Sequence, residues 1–304
     1  MNQAELARTR RRRRRLIVGV ILTAIGMVGL FVVNGLVLGH GETPYLRSTN
    51  HAVAETDKPT VKILAYNIAK CFVHPGGVRF EKKSVVAGRV EQLAAVIRAE
   101  QPDLVFLSEA ILECTPCPVN QVQSLAEQTG MHSWCFGENF NVGLPFFRMI
   151  SGNAILSRGP LEPVANPSLA GRRPFYAPKN NRRVLWCQTN IAGRPILLAS
   201  IHNDSFNLDN NRKQLEQILA YAGPREAILA GDFNAEPDDD SIQLVKQSGQ
   251  FSGVFAGHKT FPSDRPARQI DFIFAPASWE LVEYRVLESE VSDHRPVVSV
   301  FRPR

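Results

Sequence analysis

The sequence predicts mixed strands and helices behind one apolar segment long enough to cross a membrane, and three observations carry that expectation. Leu16 to Leu38 is a run of 23 residues without a formal charge. From Val61 onward short β-type runs recur, and several end on an amide, a carboxylate or an imidazole. Between them, apolar residues at three- and four-residue spacing mark amphipathic helices.

Seven arginines (Arg8 and Arg10 to Arg15) and one glutamate (Glu5) precede Leu38, so this segment carries the whole formal charge of +6 and the remainder is neutral. A neutral body argues against a broad surface that tracks phosphates, while leaving room for a local basic cleft. At about 1.5 Å of rise per residue, Leu16 to Leu38 crosses a hydrocarbon core of about 30 Å. The arginines make residues 1–15 a cytoplasmic basic tail, so the chain after Leu38 is expected outside the cytoplasm. An uncleaved single-pass transmembrane anchor (16–38) is expected over a cleaved signal peptide, because the apolar run is long and lacks a small-x-small cleavage site, and over a twin-arginine signal. A nucleic-acid or nuclear-targeting arm fits poorly beside a spanning segment. Residues 39–60 are polar, broken by Pro44 and Pro59, and read as a linker to a body over 61–304.

That body opens with Val61 to Asn67, a strand ending on an amide. Val86, Val90, Leu93 and Ile97 then keep one helical face apolar until Pro102. The next strand, Asp103 to Glu109, ends on a carboxylate able to bind a cation. Asn120 to Thr129 is a helix stopped by Gly130. Strands are expected at His132 to Gly137, Gly152 to Ser157, Arg183 to Asn190 and Pro195 to His202, the last ending on a histidine. Leu215, Ile218, Leu219 and Ala222 mark a helix closed by Gly223-Pro224.

In Ile228 to Pro237, three apolar residues run into Gly231, and Asp232 and Asn234 then stand two apart on one face of an extended segment. A carboxylate beside a neutral oxygen donor at the carboxyl end of a strand suits a hard cation and a phosphate, although GDxN also makes good turns. Asp238 to Asp240 reads as the acidic start of a helix rather than a metal cluster. In Gln269 to Phe274, Asp271 interrupts an apolar strand and needs a partner. Val291 to Val298 supplies one: a hydrogen bond to His294 would fix the imidazole's tautomer and raise its basicity, leaving Asp293 to face a metal.

Asn67, Ser108-Glu109, Gly152 to Ser157, His202, Gly231 to Asn234, Ile270-Asp271 and Ser292 to Pro296 stand in the order of the endonuclease/exonuclease/phosphatase superfamily. From residue 60 to 302 the chain resembles its deoxyribonuclease-like, neutral sphingomyelinase-like and inositol polyphosphate phosphatase-like members. The resemblance implies an α+β fold, a four-layer sandwich of two mainly antiparallel sheets packed face to face with helices outside. It also implies a Mg²⁺ cofactor, with Mn²⁺ as a substitute, held by Glu109 with help from Asn67 and faced by Asp293. His294, oriented by Asp271, would deprotonate the attacking water or stabilise the pentavalent phosphorus, while Asp232 and Asn234 position water and phosphate. His202 would donate a proton to the leaving oxygen or stabilise the transition state. Asn153, Arg182 and Arg183 are the substrate-binding candidates. The histidine at 202 and the expected export disfavour abasic-site repair, and Ile201-His-Asn203 departs from the common Thr-His-Leu form, which leaves the leaving group open.

The expected function is therefore a membrane-anchored, Mg²⁺-dependent hydrolase of phosphoesters acting outside the cytoplasm. The alternatives are an exported DNase-like endonuclease and, in another class, an inactive binding module for phosphorylated ligands. The substrate would be a lipid headgroup, a nucleic acid or a small phosphodiester, and no obligate protein partner is evident. Val142 to Ile150 is an apolar loop that either packs on the core or turns toward the membrane. The five cysteines permit two disulfides, and a bridge from Cys71 to Cys114 or Cys117 is expected to brace the metal site. Cys114-Thr-Pro-Cys117 as a local redox pair is the competing reading, Cys135 and Cys187 are expected as small buried residues, and no zinc site is expected.

Overall fold

The N-terminal apolar run forms α1 (Gln3–Leu36), which stands clear of the body over most of its length. Leu16, Val20, Leu22 and Val28 are each more than half exposed, which a core helix would not tolerate. With a mean hydropathy of 2.8 in its apolar window, α1 is long and apolar enough to cross a membrane, as a membrane anchor or a signal sequence is. The structure, a computed structural model, describes residues 3–53, 58–71, 80–177 and 179–304, so the first two residues of the basic tail and residues 54–57 of the expected linker lie outside the described residues.

The remaining elements follow as β1 (Tyr45–Ser48), β2 (Val61–Asn67), a short 3-10 turn at Ala69–Cys71, α2 (Lys83–Glu100), β3 (Leu104–Cys114), α3 (Gln121–Thr129), β4 (Ser133–Leu144), β5 (Phe147–Ser157), β6 (Glu162–Ala165) and β7 (Leu185–Ile191). After them come β8 (Arg194–His202), α4 (Leu208–Ala222), β9 (Ala227–Asp232), α5 (Asp240–Gln247), β10 (Phe251–Gly253), β11 (Asp271–Pro276), β12 (Glu280–Val286) and β13 (Val297–Arg302). They form two sheets, ordered β1-β4-β5-β3-β2-β13-β12 and β10-β11-β9-β8-β7-β6. Among the described residues only β2 with β3 and β8 with β9 pair parallel.

Alternation along the strands decides the layers, since successive side chains point to opposite faces. Ile63, Phe106, Ile155, Leu198, Ile228 and Ile273 meet between the sheets. Leu64, Val105 and Leu107 face outward onto Val90 and Ile97 of α2 and Leu125 of α3. On the far side, Trp186, Leu229 and Phe272 receive Leu215 and Ile218 of α4 and Val245 of α5. This is the expected four-layer sandwich. The helices also start and stop where their chemistry says: Asn120 and Asn207 cap α3 and α4 through their side chains, and α2 ends at Gln101 in a left-handed conformation (φ 48°) before Pro102. Asp239 occupies the N-cap position of α5, but its Oδ2 accepts from the Glu236 N–H (2.7 Å) rather than from the helix.

The expected linker is in part docked. Tyr45–Ser48 pairs antiparallel with Ser133–Phe136, because β4 would otherwise offer an open edge whose backbone groups need partners. The expected bridge from Cys71 to Cys114 or Cys117 is absent: all five cysteines are free and buried, Cys114 and Cys117 approach to 3.1 Å between sulfurs, and Cys135 and Cys187 pair with each other across β4 and β7. The expected apolar loop is the β4–β5 hairpin, and it divides: Met149 and Ile150 are buried, whereas Phe146 and Phe147 at its tip are 66% and 53% exposed.

Candidate active site

Three neighbouring strands of the second sheet deliver one polar side chain each to the same end. In register, His202 of β8 lies opposite Asp232 of β9, which lies opposite Asp271 of β11. Gly231 permits the close spacing. Its φ of +136° is a glycine conformation, and a Cβ there would stand 2.2 Å from the Ile201 carbonyl oxygen.

The first sheet answers less regularly. Asn67 ends β2 opposite Ser108, but β3 does not stop at Glu109 as expected; it runs on to Cys114. A bulge between Leu107 and Ala110 turns Glu109 out of the ladder in a left-handed conformation, φ 58°. Facing it is a turn of three left-handed residues, Ala69, Lys70 and Cys71, pinned by Gln121, whose Nε2 donates to the Lys70 carbonyl (2.6 Å). The Lys70 ammonium sits on Glu109 Oε2. Burial alone would raise the Glu109 carboxyl, yet the Lys70 ammonium and, more weakly, the Arg182 guanidinium hold it below the usual carboxylate range.

Contacts across the sheets join the two halves. Asn67 Nδ2 donates to Asp232 Oδ2 (3.0 Å), and Ser292 Oγ donates to the Asn67 carbonyl (2.6 Å). Below them Ser108 Oγ donates to the Ile201 carbonyl (3.0 Å) and Ser200 Oγ to the Leu107 carbonyl (3.2 Å). Asn234, in a left-handed conformation (φ 48°), donates its backbone N–H to Asp232 Oδ1 (2.9 Å) and its amide to Asp232 Oδ2 (3.1 Å).

The histidines have different states. Arg182 Nη1 lies 2.9 Å from His202 Nδ1, and a guanidinium only donates, so Nδ1 carries a lone pair and Nε2 the proton. That Nε2 points between Asp232 Oδ2 (3.5 Å) and Glu109 Oε1 (3.7 Å). Burial and then Arg182 push His202 well below the usual histidine range, so it is a neutral donor. His294 Nδ1 donates to Asp271 Oδ2 (2.9 Å), the pairing expected from the sequence, and Nε2 stands 3.7 Å from Asp232 Oδ2. Burial pulls His294 down, but Asp271 and Asp232 outweigh it and raise its affinity for a proton. Burial, reinforced by Asp271, lifts Asp232 to about 7.

Most of the residues singled out in the sequence thus converge. Asp293 adjoins His294 with its Oδ1 3.3 Å from Ser292 Oγ. Asn153 is buried beneath the site, donating to the Arg183 and Ser200 carbonyls (3.1 and 3.2 Å). Arg183 is the exception. Adjacent to Arg182 in an extended segment, it points the other way, toward the Asn166 carbonyl (2.8 Å) and Glu42 (3.8 Å), and does not join the cluster. Lys70, Asn203 and Thr260 were not singled out. Thr260 Oγ1 donates to Asp271 Oδ2 (2.6 Å) and Asn203 accepts from Asn234 Nδ2 (3.1 Å).

The set of donors suits a hard cation: Glu109, Asn67 and Asp293 offer oxygen, and a cationic ammonium already occupies Glu109. Asp232, Asp271 and His294 also lie within 4.8 Å of one another. There Asp271 Oδ2 already accepts from Thr260 and His294, so this trio is a hydrogen-bonded relay first.

A buried relay of carboxylates and histidines beside further oxygen donors is an arrangement suited to hydrolysis. The chain belongs to the Endonuclease/Exonuclease/phosphatase family, whose model matches residues 64–294. Its fold is similar to a family structure from Beutenbergia cavernae (20% identity, TM-score 0.60, covering 81% of this chain and 72% of that one). It is also similar to the mannosyl-6-phosphatase Bt3783 of Bacteroides thetaiotaomicron (16%, TM-score 0.58, covering 79% and 99%). D. rerio TDP2 complexed with a single-strand DNA product has the same fold (17%, TM-score 0.56, covering 80% and 99%). No curated protein matches the chain.

Proposed function

We propose that this enzyme is a divalent-cation-dependent phosphoester hydrolase, Mg²⁺ being the natural ion, held at a membrane by α1 with its catalytic body outside the cytoplasm. The observation that carries the chemistry is the His202, Asp232, Asp271 rank closed by His294. Glu109 and Asn67, with Asp293 nearby, would hold the cation, which when bound neutralises charge on the phosphoryl group.

The residues divide the remaining work. Asp232, lifted to about 7, is a base near neutrality and takes the proton of the attacking water, which Asn234 helps to orient. His294, which two carboxylates keep protonated, faces the phosphoryl group as a cation and stabilises its developing charge. His202 offers a neutral Nε2–H to a phosphoryl oxygen or to the leaving oxygen. Arg182 fits the anion as well, since its Nε–H is a donor without a protein partner. An open cleft of about 460 Å³ lined by His258, Lys259, Glu236 and Arg295, the residue after His294, suits a polar leaving group.

The test is the full chain in detergent with Mg²⁺ or EDTA, assayed on phospholipid vesicles, plasmid DNA, sugar phosphates and a chromogenic phosphodiester. Cation-dependent turnover of one class, lost in His294→Ala, supports the reading and names the substrate. Phosphate-ligand binding without turnover of any class would replace it with a binding module.

A further inference from the structure

The last two turns of α1 are not free. Asn34 is fully buried against the β4–β5 hairpin: its Nδ2 donates to Asn141 Oδ1 (2.8 Å) and to the Gly143 carbonyl (3.2 Å), and Asn141 Nδ2 donates back to the Asn34 carbonyl (3.0 Å). Arg148 Nη1 reaches Asn34 Oδ1 (3.3 Å). On an adjoining side, Phe31 packs on the rings of Phe175 and Tyr176 at 5.3 and 5.5 Å between centroids. Gly35 makes this approach possible, since a Cβ there would stand 1.9 Å from the Phe175 ring.

The position of these contacts along the helix has a consequence for depth. A hydrocarbon core of about 30 Å takes about 20 residues at about 1.5 Å each, and counted from Leu16, the first residue after the arginines, that span ends at Gly35. Phe31 then lies about 6 Å inside the apolar layer, and Asn34 sits at its boundary. Whatever packs on Phe31 and Asn34 must reach the same depth. The segments that do so carry the right surface. Phe146 and Phe147 project from the hairpin at 66% and 53% exposure, Tyr176 is 46% exposed, and Arg172 and Arg173 are exposed beside it. Aromatic side chains flanked by arginines match the region where acyl chains give way to anionic headgroups.

We propose that the β4–β5 hairpin tip (Phe146, Phe147) and the 172–176 loop are a membrane-seating surface, inserted into the outer leaflet and locked to the anchor through Asn34 and Gly35. This rests on the anchor reading of α1 and adds that the catalytic body is fixed against the bilayer rather than tethered above it. The occupant of the surface is the lipid around the protein's own helix.

The experiment uses the full chain carrying Phe146→Trp in vesicles of phosphatidylcholine and phosphatidylglycerol with brominated acyl chains. The native Trp134, Trp186 and Trp279 are buried, so the protein without the substitution is the baseline. The expected result is blue-shifted extra emission, quenched at least two-fold by the bromolipid. Adding Gly35→Leu should abolish that quenching while the chain still resists alkaline carbonate extraction. Unquenched emission from a carbonate-resistant chain overturns the seating and spares the anchor. Quenching that persists with Gly35→Leu overturns the lock. A chain that carbonate extracts overturns both seating and anchor, leaving the hydrolase chemistry untouched.

Discussion

The two sheets build their halves of the active site in opposite ways. The second sheet uses plain register: three adjacent strands place His202, Asp232 and Asp271 side by side, with positive φ only at Gly231 inside β9 and at Asn234 just beyond it among the described residues of these strand ends. The first sheet uses distortion. Glu109 stands in a bulge at φ 58°, and Lys70 confronts it from a turn of three left-handed residues that bear side chains. Left-handed positions in such residues cost about 1–2 kcal/mol each and persist only where surrounding contacts enforce them. The regular half carries the proton relay, where geometry must be constant. The distorted half carries the proposed cation ligand, Glu109, a carboxylate that has left its ladder.

The sharpest way to break the comparison is to remove charge from the regular half. Asp232→Asn deletes the proposed base, and kcat for the substrate found should fall by about 10³-fold or more with little change in thermal stability. A loss under about ten-fold would move the base elsewhere. The next effect is on folding. Gly231→Ala forces a Cβ against the Ile201 carbonyl oxygen at positive φ and should cost about 2–4 kcal/mol in urea unfolding; an unchanged midpoint would mean that the strands can part there.

The distorted half is tested through Lys70. Its ammonium occupies the carboxylate a divalent ion would use, so Lys70→Ala should tighten Mn²⁺ binding, read by electron paramagnetic resonance, by about five-fold or about 1 kcal/mol. Weaker binding would make Lys70 a support for Glu109 rather than its competitor. The smallest effect lies away from both halves, at Glu138. Burial raises this carboxyl above its usual range. The folded state therefore holds its proton to higher pH than the unfolded state, and the stability that goes with protonation fades as pH rises through the folded value. Glu138→Gln should raise the melting temperature by about 2–4 °C at pH 8 and by nothing at pH 4. An equal gain at both would point to packing instead.

The regular half was legible in the sequence because His202 and Asp232 end apolar runs and Asp271 interrupts one, each within a short motif. Asp271 and His294 could be paired in advance, since a buried carboxylate demands a partner and few candidates existed. The distorted half was only partly legible. Glu109 was found, but nothing in its neighbourhood announces a bulge, and Lys70 gives no signal beyond standing three residues after Asn67. Arg182 and Arg183 were equally attractive by composition. Strand alternation requires that one of them face away, though only the register shows which. The disulfide expectation failed because spacing along the chain does not fix the Cα separation on which a bridge depends. β1 was missed because four residues carry too little periodicity to mark a strand.

The paired serines beneath the site give the molecule one further property. Ser108 grips the backbone of β8 and Ser200 grips that of β3, each reaching into the other sheet just under the reacting groups. A reciprocal clasp at that place denies the sandwich a hinge. Opening the two jaws would break both bonds, at about 0.5–1.5 kcal/mol each, so a phosphoester would meet a cradle whose width is set when the chain folds. Discrimination among substrates then falls to the rim, and loops can be exchanged there without retuning the chemistry below.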